Sequence, residues 1–171
     1  MRRERSKTHP AASLPRTDRR IQEHESDAYG LRGKLPDPTA CGACGALYRD
    51  GRWTWGAAPA DAQRTKCPAC RRVEDGVPAG VVTLRGAFVA AHADEIGGLI
   101  RNLEEREKAE HPLKRVMAIE AGEGGGLVVT TTDARLARGI GEALHHAWQG
   151  ELDYRFTEPE NALRVHWTRE A

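Results

Sequence analysis

From residue 81 onward, apolar and polar positions alternate in patterns regular enough to predict most of an α+β domain. A run at 81–84, extendable to Val89, predicts a strand. Ile96, Leu99, Ile100 and Leu103 recur at the i, i+3, i+4, i+7 spacing of one buried helical stripe, which predicts a helix over 93–108. Its far side carries Arg101/Glu105 and Glu104/Lys108 at i,i+4 spacing, and His111-Pro112 stops it. Strands over 115–121 and 127–132 flank the glycine-rich hairpin tip at 122–126. Asp133 suits the N-cap of a helix running through Trp148, with Leu136, Ile140, Leu144 and Ala147 as its inner stripe and Gly150 after its end. Strands at 152–156 and 163–167 form a last hairpin across 158–161. The order β-α-β-β-α-β-β predicts a ferredoxin-like domain over 81–171, with helices layered on an antiparallel sheet.

Upstream, over 35–80, the pattern shortens. Residues 47–49 and 52–55 read as two short strands joined by Asp50-Gly51, a tight-hairpin signal, with Trp53 and Trp55 on one face. A loop through 57–64 follows, and 75–80 is a compact turn that closes the module. Its four cysteines are the only ones in the chain: Cys41-Gly-Ala-Cys44 and Cys67-Pro-Ala-Cys70. Each C-x-x-C lets one tight turn present two thiolates, and two such turns complete a tetrahedron with no position left for water. The spacing therefore predicts a structural zinc ribbon with Zn²⁺ on Cys41, Cys44, Cys67 and Cys70. Iron in a rubredoxin-like S₄ cage, disulfides and free thiols are the alternatives. A segment this short is below the size that folds on its own core, so metal binding must supply much of its stability.

Residues 1–34 lack hydrophobic periodicity, and Pro10 and Pro15 break an early helix. Such an arm cannot bury enough apolar surface to offset its ordering entropy, and it is expected to be disordered when free. It carries 9 Lys/Arg against 5 Asp/Glu, whereas 81–171 carries 11 against 15, so a total of only +1 hides a basic arm and an acidic body. No apolar run is long enough to span a bilayer, and the first residues lack the apolar segment of a signal peptide. A cytoplasmic, reducing location follows as the expectation, and it suits cysteines held as metal thiolates.

No catalytic constellation is legible. His92, His111, His145, His146 and His166 form no H-E-x-x-H, and the glycine run at 122–126 is not followed by the Lys-Ser/Thr of a phosphate loop. A metal-dependent enzyme using His145, His146 or His166 is the weaker alternative. Around the knuckles, however, Arg49, Arg52, Arg64, Lys66, Arg71 and Arg72 interleave with Tyr48, Trp53 and Trp55. Guanidinium groups meet phosphates bidentately and aromatic faces stack on unpaired bases. Arg49, Arg52, Trp53, Arg71 and Arg72 are thus the candidate RNA contacts of a non-enzymatic zinc protein. A zinc-ribbon adaptor that docks a protein, by its zinc edge or through the acidic α+β domain, is the alternative.

Residues 41–53 (Cys-x-x-Cys-Gly-Ala-x-Tyr-x-x-Gly-Arg-Trp), 67–72 (Cys-Pro-Ala-Cys-Arg-Arg), 78–80 (Pro-Ala-Gly) and 110–113 (Glu-His-Pro-Leu) resemble small bacterial proteins grouped with the Nmd-three family. That resemblance implies metal ligation by the four cysteines and a ribosomal partner. The chain departs from the larger family in having a single zinc site and no later domains, so nothing about export carries over.

Overall fold

The computed structural model of the chain describes Tyr29, residues 34–157 and residues 161–171. The basic arm expected over 1–34, Tyr29 and Lys34 apart, and the tip of the last hairpin at 158–160 lie outside the described residues.

The cysteine-bearing segment forms a small sheet of β1 (Thr39–Cys41), β2 (Leu47–Arg49), β3 (Arg52–Thr54) and β4 (Gln63–Thr65), ordered β3-β2-β1-β4. Asp50 and Gly51, at φ 54° and 79°, make the β2–β3 turn, in the left-handed conformation that matches the twist of a two-residue hairpin. β4 lies within the stretch read as a loop, and it pairs parallel to β1. Three residues with a single half-buried position give no alternation to read. A further departure is α1 (Pro68–Asp75). Cys67 caps its N-terminus, Pro68 takes the first helical position, where a missing N–H costs nothing, and Gly76 closes it in the left-handed conformation. The second C-x-x-C is therefore the first turn of a helix.

The body follows as β5 (Gly80–Arg85), α2 (Ala87–Ala91), α3 (Ala93–Glu110), β6 (Val116–Ala121), β7 (Leu127–Thr131), α4 (Ala134–Trp148), β8 (Glu151–Thr157) and β9 (Ala162–Thr168). The element order matches the expectation apart from the added α2, and the mixed α+β class holds. The strand read over 81–84, extendable to Val89, stops at Arg85. Gly86 turns there at φ 105° against the backbone of Arg169, and Phe88 and Val89 are buried from the short helix α2.

The sheet runs β6-β7-β5-β9-β8. Beside β5 lies β9, not the strand that directly follows α4, and the β5–β9 pairing is parallel. The sheet is thus mixed, where an antiparallel one was expected. Composition explains the exchange. β9 buries Leu163, Val165 and Trp167 at period two, whereas Glu151, Asp153 and Arg155 make β8 fit for an edge.

One layer of helices covers the sheet. Leu136, Ile140 and Leu144 from α4 and Ile96 and Ile100 from α3 meet Val82, Leu84, Val129, Val165 and Trp167 in a single core. Ala147, expected in the inner stripe, is exposed, and Ala137 is buried in that face instead. Trp167 donates from Nε1 to the carbonyl of Gln149 at 2.7 Å, which satisfies the polar end of the largest buried side chain.

An apolar contact and a hydrogen bond help to seat the small sheet on the body. Leu113 packs against the cysteine cluster, and Trp55 donates from Nε1 to the Lys108 carbonyl at 2.7 Å. Trp55→Phe keeps the ring and deletes the donor, and is expected to cost about 1 kcal/mol. Urea unfolding checks this, and an unchanged midpoint would show that the bond contributes nothing.

Candidate metal centre

Each C-x-x-C is shaped by the element beside it. Cys41 ends β1, and its N–H donates to the Ala46 carbonyl at 2.8 Å while Gly45 N–H returns to the Cys41 carbonyl at 3.0 Å. That turn aims Cys41 and Cys44 to one side. Cys67 and Cys70 face them from the start of α1. The Cys67 N–H donates to Cys41 Sγ at 3.2 Å, and the Cys70 N–H to Cys67 Sγ at 3.4 Å. Backbone donors aimed at sulfur favour the thiolate over the thiol.

All four sulfurs lie within 4.8 Å of one another, and Cys44 and Cys67 are 3.8 Å apart. A tetrahedron with metal–sulfur bonds of about 2.3 Å has edges of about 3.8 Å. The donor set and its spacing therefore fit a four-coordinate metal ion. It is the only such group of His, Cys, Asp or Glu among the described residues.

The charge of the pocket is handled by a residue from the body. Arg115, one residue before β6, donates from Nη1 to Cys70 Sγ at 3.3 Å and from Nη2 to Cys67 Sγ at 3.2 Å and Cys44 Sγ at 3.4 Å. Its Nε is fixed on the Pro112 carbonyl at 2.9 Å, and its backbone exchanges bonds with Thr132. A divalent ion on four thiolates carries two negative charges, and one guanidinium cancels half of that. Burial disfavours the charged guanidinium, but the adjoining sulfurs more than offset it and hold Arg115 above its ordinary pKa. Burial pushes the Cys44 and Cys67 thiols up. It acts on Cys41 in the same sense, yet the N–H groups of Cys67, Cys44 and Ala43 bring that thiol down to about 6. Three backbone donors thus prepare one thiolate, and a bound cation would oppose the effect of burial on Cys44 and Cys67.

The expected RNA contacts divide on inspection. Arg49 and Arg52 are exposed and directly opposite each other across β2 and β3. Arg71 is also exposed, with its guanidinium tied to the Lys66 carbonyl at 3.1 Å and to Thr65 Oγ1 at 3.2 Å. Arg72 is only 5% exposed: it donates to the Val77 carbonyl at 3.2 Å and lies 4.4 Å over the Tyr29 ring. The helix accounts for this. In α1, Ala69 and Arg72 are one turn apart on the buried face, while Arg71 points away. Arg72, expected as a phosphate contact, is instead buried among the chain's own groups. Trp53 is half-buried, packs against the cysteine cluster and meets Tyr48 edge-to-face at 5.6 Å, so it serves the small core. Its Nε1 is buried without a partner among the described residues.

His145 and His146 are both exposed on α4, and His166 faces the helix-free side of the sheet opposite Asp153. None of them joins a metal-binding group among the described residues. Sequence reasoning missed Arg115, which follows Cys70 by 45 positions and has no motif of its own. A weak pointer was present in 110–113, because Leu113 and the Pro112 carbonyl both serve the centre. No described helix is long and apolar enough to cross a membrane. The comparisons with known proteins bring no relative to this arrangement: no protein-family model matches the chain, and neither does a curated protein or a solved structure.

Proposed function

We propose that the chain is a non-catalytic zinc protein, in which Zn²⁺ on Cys41, Cys44, Cys67 and Cys70 is structural and ties α1 to the small sheet, while Arg115 joins the centre to the body. The Arg115 guanidinium over three of the four sulfurs carries this reading. Four protein ligands complete the coordination, and a cation covers the side on which a substrate would approach. Zinc suits a closed thiolate set with no redox partner nearby. One zinc per chain by elemental analysis is the expected result, and a red protein with one iron per chain overturns the assignment.

The partner we propose is RNA or a ribonucleoprotein such as the ribosome, contacted through Arg49, Arg52 and Arg71. One observation favours it over a protein-docking adaptor. Arg49 and Arg52 stand directly opposite each other at a hairpin tip with no ion pair between either and a described carboxylate. Like charges in that position weaken a hairpin, and an anionic ligand relieves the repulsion. The double variant Arg49→Glu/Arg52→Glu is expected to bind RNA more weakly and to lower the slope of log K against log[salt] by roughly 2. Filter binding at several salt concentrations measures it. An unchanged slope removes these arginines from the interface, and a pull-down whose partners survive nuclease treatment points to the adaptor instead.

A further inference from the structure

Tyr29 precedes every element of the fold in sequence, yet in space it meets the last turn of α1. Its hydroxyl donates to Asp75 Oδ2 at 2.7 Å, across 46 positions of chain. The Arg72 guanidinium lies 4.4 Å over the centre of its ring. A phenol on a carboxylate makes a charge-assisted hydrogen bond, and a guanidinium on an aromatic face is a cation–π contact. Arg72 and Asp75 stand one helical turn apart, so the backbone of α1 is what brings them to one side. Arg72 is further held by its bond from Nη1 to the Val77 carbonyl at 3.2 Å, and Gly76 closes the helix just beyond Asp75.

α1 is too short to supply this seat alone. An isolated helix of eight residues is marginal in water, and in α1 only Ala69 and Arg72 are buried. Its first turn is built on two of the four cysteines. Cys67 is the N-cap and takes the Cys70 N–H on its sulfur, while Ala69 packs in the cysteine cluster. The seat for Tyr29 is at the opposite end of the same helix. Whatever organises the cysteines therefore organises the seat, through one continuous run of backbone.

We propose that the C-terminal end of α1 is a docking site for Tyr29 that the bound metal assembles and whose loss follows the metal's. Such coupling rests on the structural ion proposed above, which ties α1 to the small sheet. Residues 1–28 carry 7 Lys/Arg against 5 Asp/Glu, and docked Tyr29 pins that basic stretch to the helix that also carries Arg71. The coupling is reciprocal: the factor by which metal strengthens Tyr29 docking is the factor by which docking strengthens metal retention.

Fluorine NMR of the full chain with 3-fluorotyrosine at its three tyrosines reads the docking, and Tyr29→Phe identifies the Tyr29 resonance by its loss. Removing the metal with a chelator is expected to move that resonance to its position in denaturing urea. Asp75→Ala is expected to shift it with the metal still bound. Hydrogen exchange follows α1 in the same samples. A Tyr29 resonance that stays in place while α1 loses protection overturns the docking site and leaves the structural metal standing. Protection of α1 that survives chelation, with Tyr29 in place, overturns the structural role of the metal and its control of Tyr29 together. Tyr29→Ala is expected to favour equilibrium transfer of zinc to a competing chelator by roughly threefold to tenfold, with Tyr29→Phe between it and wild type because the ring remains. Unchanged transfer in Tyr29→Ala overturns the proposal, since the coupling must act in both directions.

Discussion

Cys67→Ser is expected to release the metal and unfold residues 39–75, while the body keeps its helices and a cooperative melt. Cys67 is fully buried, and its sulfur takes N–H donors from Cys70 and Arg115 while lying 3.8 Å from Cys44. A serine oxygen is harder and less acidic than a thiol, and it completes a soft tetrahedral site poorly. The small module has little else to hold it. Its buried cluster is Cys41, Ala46, Cys67 and Ala69, two ligands and two single methyl groups, and Leu47 is the one large aliphatic side chain buried elsewhere in the module among the described residues. Structural zinc in comparable peptides supplies an apparent 10–16 kcal/mol, about the whole stability of a small domain. The body's core includes no residue of this module, so its unfolding is expected to remain separate. Elemental analysis reads the metal, and hydrogen exchange reads protection at β1, β2 and α1. Retained protection in those segments without metal would show that the module folds on packing alone. A chelator applied to wild type is expected to reproduce the variant's exchange pattern.

Replacing Arg115 is the second test, and it separates holding the metal from binding it. Arg115→Met conserves length and apolar stem but deletes three N–H···S contacts, leaving a dianionic centre facing the body without a counter-charge. An uncompensated charge at a partly buried junction is costly, and partners that hydrogen-bond the ligands of metal sites contribute about 10–100-fold in affinity. Transfer of zinc to a competing chelator is therefore expected to strengthen by a factor in that range. Arg115→Lys is expected to fall between, because an ammonium lacks the planar fork that reaches three sulfurs together. High salt is expected to change the wild-type retention little, since half-buried pairs are poorly screened. If the Met variant holds zinc like wild type, the guanidinium is only filling space.

How much of this was legible in the chain depended on the kind of signal. The four cysteines announce themselves by spacing, and the structure brings them together. Helices α3 and α4 were readable because Ile96, Ile100, Leu136, Ile140 and Leu144 repeat at helical period over several turns. Asp50-Gly51 was readable because few residue pairs adopt that turn. What escaped were features decided between distant segments. β4 is too short for a period, and its parallel pairing with β1 is visible only in space. The helix after Cys67 is marked only by Pro68 and Gly76 at its two ends, and its eight residues are too few to show a helical period that would place Arg72 on the buried face. The antiparallel sheet expected of a ferredoxin-like domain is instead mixed, with β9 parallel to β5. The preference of Leu163, Val165 and Trp167 for a central position decided this. Arg115 had no local signature, since a lone arginine at a strand entrance is ordinary until its neighbours are known.

The pairing of β5 with β9 has a consequence for the order in which the body can form. These are its first and last strands, joined side by side from Gly80 against Leu163 to Arg85 against Thr168. Emerging from synthesis, β5 can meet β7 early, but its other edge stays unfilled until the end of β9 has been made. Trp167, the largest fully buried side chain, belongs to β9 and so follows every other described strand of the body. Contacts spanning so much chain slow folding, because loop closure must precede their reward. The cysteine module needs no such wait: all four ligands are present once Cys70 has appeared. Metal loading can thus run ahead of the body, leaving a preformed knot on which Arg115 settles when its strand is delivered.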